Sequence, residues 1–144
     1  MVDVSSKRPS RRQALARCRV VTAADVASLL PREDELDASL AARIAGVFAA
    51  KRVDELIPLC HSLNLDDVDV ELRRGDGGID ITATVTANQR TGVEMEALTA
   101  CAFAALSLLD SLLDVDPHAW VDDLVLLKKA GGKSGDWGRL VESS

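Results

Sequence analysis

The chain has 144 residues, of which 47% are hydrophobic and 28% charged, and its formal net charge at pH 7 is −6. A chain of this size can bury a real core as one domain, and its acidic balance disfavours nucleic acid as a partner. The first residues carry no apolar signal region, and no charge-free run approaches a membrane span, so we expect a cytoplasmic protein without a membrane partner. We expect one domain over residues 1–144, with flexible stretches at 1–9 and about 131–144.

The first part of the chain predicts a strand and two helical pieces. A strand is expected over residues 13–21, because four small apolar residues alternate there with polar ones: Ala14, Ala16, Cys18 and Val20. A short helix over 22–30 and a second helix over about 38–56, capped by Asp37, follow. Pro58 ends the second helix, because proline disfavours helical geometry at the residue before it.

The second part predicts a hairpin, a long helix and a last strand. Alternating apolar residues over 68–72 and 79–87 flank a turn at 76–78, which is typical of a β-hairpin. The long helix is expected over 92–114 and the last strand over 121–128. Counting the two early helical pieces as one crossover, the order is β-α-β-β-α-β. This order predicts the ferredoxin-like α+β fold, an antiparallel sheet with helices packed on one face.

The long helix is unusually apolar. Between Ala97 and Leu109 its only polar residues are Thr99 and Ser107, so it should be covered on more than one side. We expect a second subunit to supply part of that cover, with the face that carries Ala104 as a candidate interface. The sequence therefore predicts a homo-oligomer built from dimers.

Two carboxylates mark the ends of this helix. Glu96 and Asp110 lie 14 residues apart, which places them within roughly 40° of one face but roughly 21 Å apart along the axis. A small substrate cannot reach both within one chain. If both act on one substrate, we expect them to converge with His61 only where two chains meet.

Three stretches carry residues suited to chemistry. His61, after Cys60, can act as an acid, as a base or as a hydrogen-bond donor to a phosphate group, although a single loop histidine is more often structural. Gly92 to Glu96 opens the long helix, where carboxylates either complement the helix dipole or bind a guanidine-like base edge. The lysine- and glycine-rich run over 128–135 is either a solvated basic tail or an anion site.

Some alternatives are disfavoured by spacing. The run over 128–135 lacks the glycine spacing of a P-loop and follows a strand without opening a helix. The three cysteines, Cys18, Cys60 and Cys101, form no C-x-x-C pair. We therefore expect three reduced thiols and no metal site.

Taken together, these stretches resemble one family closely, molybdenum cofactor biosynthesis protein C, the cyclic pyranopterin monophosphate synthase. The resemblance spans nearly the whole chain. It is carried by five runs in the same order and spacing: Met1-Val2-Asp3-Val4-Ser5, Ala42-Arg43-Ile44-Ala45-Gly46, Leu56-Ile57-Pro58-Leu59-Cys60-His61, Thr91-Gly92-Val93-Glu94-Met95-Glu96-Ala97-Leu98-Thr99-Ala100, and Leu126-Leu127-Lys128-Lys129-Ala130-Gly131-Gly132-Lys133-Ser134-Gly135-Asp136.

The resemblance implies a homohexamer, a trimer of dimers, with sites at the dimer interface. Its substrate is a cyclised dihydro-GTP intermediate, which is converted to cyclic pyranopterin monophosphate with loss of pyrophosphate. No redox change occurs, so no cofactor is implied. The implied catalytic residues are Asp110, His61 and Lys129. The implied substrate-binding residues are Leu59, Cys60, His61, Glu94, Met95, Glu96 and Lys133.

The chain departs from the family pattern at two cation positions. Where the family has a catalytic lysine before the Ala42–Gly46 run, this chain has Glu35, and where a second lysine follows the aspartate, it has Leu113. Ser62 replaces a proline, which is a lesser change. The leading hypothesis is an active lyase. The alternatives are a catalytically weak paralogue that binds a pterin- or nucleotide-like ligand or pairs with an active homologue, and a purely structural oligomer.

Overall fold

A computed structural model describes residues 1–23 and 38–139. These form a five-stranded sheet and three helices. The strands are β1 (Ser10–Val21), β2 (Asp67–Gly75), β3 (Gly78–Gln89), β4 (Trp120–Ala130) and β5 (Trp137–Gly138). The helices are α1 (Ala38–Ala50), α2 (Val53–Leu56) and α3 (Glu94–Leu112). Most of the predicted helix over 22–30 and the cap Asp37 lie outside the described residues.

The sheet is antiparallel throughout and has the order β2-β3-β1-β4-β5. Its first four strands have the connectivity of the predicted ferredoxin-like pattern, so that expectation is confirmed. The register between β1 and β4 shifts at two places. Near the second shift Asp123 adopts a left-handed backbone, with φ 54°, as bulged strands often require.

The helices lie on one face of the sheet. The alternate apolar residues of β1 and β3 are buried in one cluster with the inner face of α3. This core is built mainly from alanine and valine, whose small side chains let helix and sheet approach closely. The alternate positions, such as Gln13, Leu15 and Thr84, are only half-buried and face away from the helices.

A second helix of the same chain supplies part of the cover of α3. Gly46 of α1 packs so tightly against α3 that a β-carbon there would lie 2.8 Å from the Ala100 carbonyl oxygen and 3.4 Å from the Ala104 side chain. Ala104 has no exposed surface. The expectation that Ala104 marks a subunit interface is therefore wrong, because its face is covered by α1 of its own chain.

Other apolar positions remain uncovered. On α3, Phe103 and Leu106 are exposed, and on α1 exposed side chains at Leu40, Ile44 and Phe48 follow a spacing of four residues. Exposed apolar side chains that line up along a helix in this way are typical of protein interfaces.

The length and composition of α3 are similar to those of a membrane-spanning helix. By length and mean hydropathy, 1.4, the helix could cross a bilayer, but half of that stretch is buried inside the fold. Its apolar character is accounted for by burial against the sheet and α1.

Candidate active site

A tight turn after α2 presents the first group of predicted site residues. The Cys60 N–H donates to the Ile57 carbonyl oxygen over 3.3 Å. Pro58 and the left-handed Leu59, with φ 68°, complete the reversal. A leucine in that conformation is strained, and such strain concentrates at functional sites. The turn directs Cys60 and His61 toward the first turn of α3.

The opening of α3 brings the second group. The helix begins without a side-chain cap after Val93, and the Ala97 N–H donates to the Val93 carbonyl oxygen over 3.1 Å. The Glu94 carboxylate folds back over Gly92, where a β-carbon on that residue would meet it. The same carboxylate pairs with the ammonium group of Lys129 on β4 at 3.2 Å. Glu94 thus fixes the position of a cation beside the helix start.

These two groups line one cavity, here called the acidic cavity, of about 330 Å³. That volume suits a ligand of the size of a single heterocycle with a sugar. Its walls are Met1, Val2, Leu59, Cys60, His61, Leu63, Thr91, Gly92, Glu94, Met95 and Glu96. His61 and Glu96 therefore line the same cavity within one chain. Asp110 does not line it, so the expectation that all three converge only where two chains meet stays a prediction.

Glu96 is the electrostatically unusual residue of the acidic cavity. Its side chain is almost wholly buried, with 4% exposure. Burial raises its pKa to about 7, and the nearby carboxylates of Glu94 and Asp54 act in the same direction. Burial and the charge of Glu96 also raise the pKa of the Cys60 thiol, so Cys60 is a neutral wall of the cavity. A carboxyl group that titrates near neutrality can donate or accept a proton.

A second, larger cavity is cationic. This basic cleft, of about 660 Å³, is lined by Ser6, Lys7, Arg8, Ser10, Arg12, Gly132, Lys133 and Ser134. Gly131 and Gly132 have φ values of 93° and 86°, which permit the loop to pass close to β1. The Gly131 N–H donates to the Asp136 carboxylate over 3.1 Å, which holds the loop in place.

Arg12 connects the two cavities. Its guanidinium lines the basic cleft and donates to the Arg90 carbonyl oxygen over 3.3 Å, immediately before Thr91 of the acidic cavity. The Nε of Arg12 is buried and has no hydrogen-bond partner among residues 1–23 and 38–139. Because the Arg12 side chain lines the basic cleft, its guanidinium group is a candidate donor for an anionic ligand there.

The remaining predicted residues are distributed unequally. Lys129 forms an ion pair with Glu94, which lines the acidic cavity. Lys133 lines the basic cleft. Asp110 is exposed on α3 and lines neither cavity, and Leu113 is exposed on the same stripe one turn further on. Glu35 lies outside the described residues.

Within the described ranges no group of three or more metal-ligating side chains could hold a metal ion.

The sequence interpretation missed Lys7, Arg8 and Arg12. Their signal was present, because four basic residues occur between positions 7 and 12 of an acidic chain: Lys7, Arg8, Arg11 and Arg12. Only the pairing of β1 with β4 shows that this cluster meets the glycine loop, more than a hundred residues away along the chain.

Comparison with known proteins agrees with the resemblance seen in the sequence. Residues 1–132 match the model of the MoaC family. A protein of Mycobacterium tuberculosis named cyclic pyranopterin monophosphate synthase 2 is 49% identical over 144 residues, covering 96% of this chain and 84% of the relative. Proteins named cyclic pyranopterin monophosphate synthase from Streptomyces coelicolor, 49% identical with 96% and 83% coverage, and Chloroflexus aurantiacus, 45% identical with 96% and 88% coverage, match equally broadly.

Proposed function

The chain belongs to the MoaC family, and on that premise we propose that it is a cyclic pyranopterin monophosphate synthase, a lyase of molybdenum cofactor biosynthesis. Its substrate is the cyclised dihydro-GTP intermediate, 3',8-cyclo-7,8-dihydroguanosine triphosphate. Its products are cyclic pyranopterin monophosphate and pyrophosphate. The observation that supports this reaction best is the adjacency of an acidic cavity and a basic cleft joined by Arg12.

The two cavities divide the substrate between them. The guanine-derived ring carries N–H donors that suit the carboxylates of Glu94 and Glu96, while Leu59, Cys60 and Met95 supply apolar walls. The triphosphate carries the negative charge that suits the basic cleft. This arrangement orients the ring and the phosphates at opposite ends of one site.

Proton transfer is assigned to His61, Asp110 and the protonated or ionised Glu96. Opening and reclosing the ring requires protons to be removed and returned, and the Glu96 carboxyl group, with its pKa raised to about 7, is suited to such transfer. The cyclic phosphate forms when a substrate hydroxyl oxygen attacks the α-phosphorus and the bond to the bridging oxygen breaks. The hydroxyl proton goes to a base, and pyrophosphate leaves with the electron pair.

The departing pyrophosphate needs cations. Lys129 and the cationic side chains of the basic cleft can stabilise the charge that develops on it. These cations offer a substitute for the lysines that Glu35 and Leu113 replace. The alternative of a weak paralogue is not favoured, because the similarity to named synthases extends over nearly the whole chain.

We also propose that the site is completed by a neighbouring subunit in a hexamer built as a trimer of dimers. Asp110 is remote from the acidic cavity of its own chain, so its catalytic role requires the helix of a neighbour. The exposed stripes on α1 and α3 supply apolar surface for such contacts. The three thiols, all free, fit a reducing cytoplasm.

The proposal is tested by turnover of the cyclised intermediate, comparing Arg12→Gln with Arg11→Gln. Arg11 is an exposed neighbour that undergoes the same chemical change but does not line the basic cleft. We expect kcat/KM to fall about 10²-fold in Arg12→Gln and to change little in Arg11→Gln. Equal effects of the two changes, or no turnover by the unmodified protein, would contradict the assignment.

A further inference from the structure

The first eight residues contribute to both cavities. Val2 lines the acidic cavity and Lys7 and Arg8 line the basic cleft. No helix or strand is formed between them. The stretch therefore crosses from the ring end of the proposed site to its phosphate end, and its path decides where both sets of side chains lie.

Two local hydrogen bonds shape this path. The Asp3 carboxylate accepts a hydrogen bond from the Ser5 N–H over 2.9 Å, and the Lys7 N–H donates to the Val4 carbonyl oxygen over 3.0 Å. The first is an Asx turn and the second closes a β-turn, so the chain bends twice within five residues. Asp3 and Ser5 are exposed, and their hydrogen bond lowers the pKa of Asp3.

We propose that residues 1–8 act as a substrate strap, in which Asp3 is the positioning residue that sets the distance between Val2 and Lys7. This inference rests on the proposed function. In the strap, the apolar side chain of Val2 covers the heterocycle, while Lys7 is delivered to the phosphates. Because the two ends hold different chemistry, the strap favours ligands that carry a heterocycle and a polyphosphate together.

The strap binds parts of the substrate that do not react. Its contacts are the same in the ground state and the transition state, so its loss should raise KM and leave kcat nearly unchanged. Losing one exposed hydrogen bond that holds a turn corresponds to a change of about fivefold. A catalytic role for Asp3 would instead lower kcat.

The test compares Asp3→Ala, Asp3→Asn and Asp66→Ala. Asparagine keeps a side-chain oxygen that can accept from the Ser5 N–H, whereas alanine does not. Asp66 is an exposed aspartate that lines neither cavity and serves as the matched control. We expect KM to rise about fivefold in Asp3→Ala only, with kcat within about twofold of the unmodified protein in every variant. An unchanged KM in Asp3→Ala, or an Asp3→Asn variant as impaired as Asp3→Ala, would overturn the strap.

A binding measurement separates this inference from the proposed function. GTP serves as the probe, because it carries both a heterocycle and a triphosphate, and calorimetry requires no turnover. We expect Asp3→Ala to weaken GTP binding about fivefold and to weaken inorganic pyrophosphate binding less. Failed turnover with this binding pattern would refute the synthase but keep the strap. Equal GTP affinities, or no GTP binding by the unmodified protein, would refute the strap.

Discussion

Glu96→Gln tests the electrostatics of the acidic cavity most sharply, because burial raises the pKa of that carboxyl group from 4.5 to about 7. In the folded protein Glu96 therefore holds its proton to a higher pH than in the unfolded chain. The contribution of Glu96 to the free energy of unfolding is complete below about pH 4.5 and is lost as the pH rises to about 7. Glutamine has nearly the same shape and cannot ionise, so the variant lacks this pH dependence.

The size of the effect follows from the pKa shift. The full shift corresponds to about 3 kcal/mol, of which about 2 kcal/mol falls between pH 5 and pH 8. Urea unfolding, followed by the fluorescence of Trp120 and Trp137, gives the free energy of unfolding at each pH. Both proteins are compared at one protein concentration, since association alters apparent stability.

The expected result is a larger pH-dependent loss of stability in the unmodified protein than in Glu96→Gln. From pH 5 to pH 8, the unmodified protein should lose about 2 kcal/mol more stability than Glu96→Gln. Glu55→Gln, an exposed change on α2, serves as the control and should follow the unmodified protein. If Glu96→Gln and the unmodified protein lose stability in parallel, Glu96 does not titrate near neutrality, and its role in proton transfer loses its basis.

Three further predictions follow from particular positions. Gly46→Ala should destabilise the protein by about 1–3 kcal/mol despite better helix propensity, because its β-carbon would meet the Ala100 carbonyl oxygen at 2.8 Å; a thermal midpoint that rises would contradict the packing. Phe103→Glu should shift the assembly to smaller species in light scattering, and an unchanged mass would remove this stripe from the interface. Replacing Glu35 and Leu113 together with lysine should raise turnover more than either change alone, whereas unchanged turnover would mean that other cations already suffice.

The sheet was largely predictable from alternation. The period-two patterns of β1 and β3 identified both strands, because every second side chain must enter a core on one face. The ends of the strands were harder to predict from the sequence. β1 begins at Ser10 and not at residue 13, since backbone pairing with Gln89 continues where the apolar alternation has stopped. β5, at Trp137–Gly138, is too short to leave a pattern.

The helices were predicted less completely, because the pattern of one segment does not show which other segment packs against it. The expected helix over 38–56 is two helices, α1 and α2, with a break after Ala50. The sequence has no proline or glycine at this break, so the break could not be predicted from helix-breaking residues. The apolar surface of α3 correctly indicated cover on several sides, but α1 provides part of it. Sequence periodicity reports that a face is buried and does not report which chain buries it.

The sequence motifs named residues that lie together in the structure, and the roles of these residues in binding and catalysis stay predictions. The acidic cavity gathers Leu59, Cys60, His61, Met95 and Glu96 as the sequence motifs suggested. The basic cleft was missed because its two sides are far apart in sequence and meet only through the β1–β4 register. The catalytic assignment of Asp110 stays a prediction, since one chain does not bring it to either cavity.

The most direct measurement of the central claim is the stoichiometry of turnover. Purified protein is incubated with the cyclised dihydro-GTP intermediate, and cyclic pyranopterin monophosphate and pyrophosphate are quantified together. The account predicts that both products accumulate in equal amounts and that Lys129→Met lowers both rates together. Absence of product from a folded protein that still binds GTP would contradict the account, as would pyrophosphate released without the cyclic phosphate.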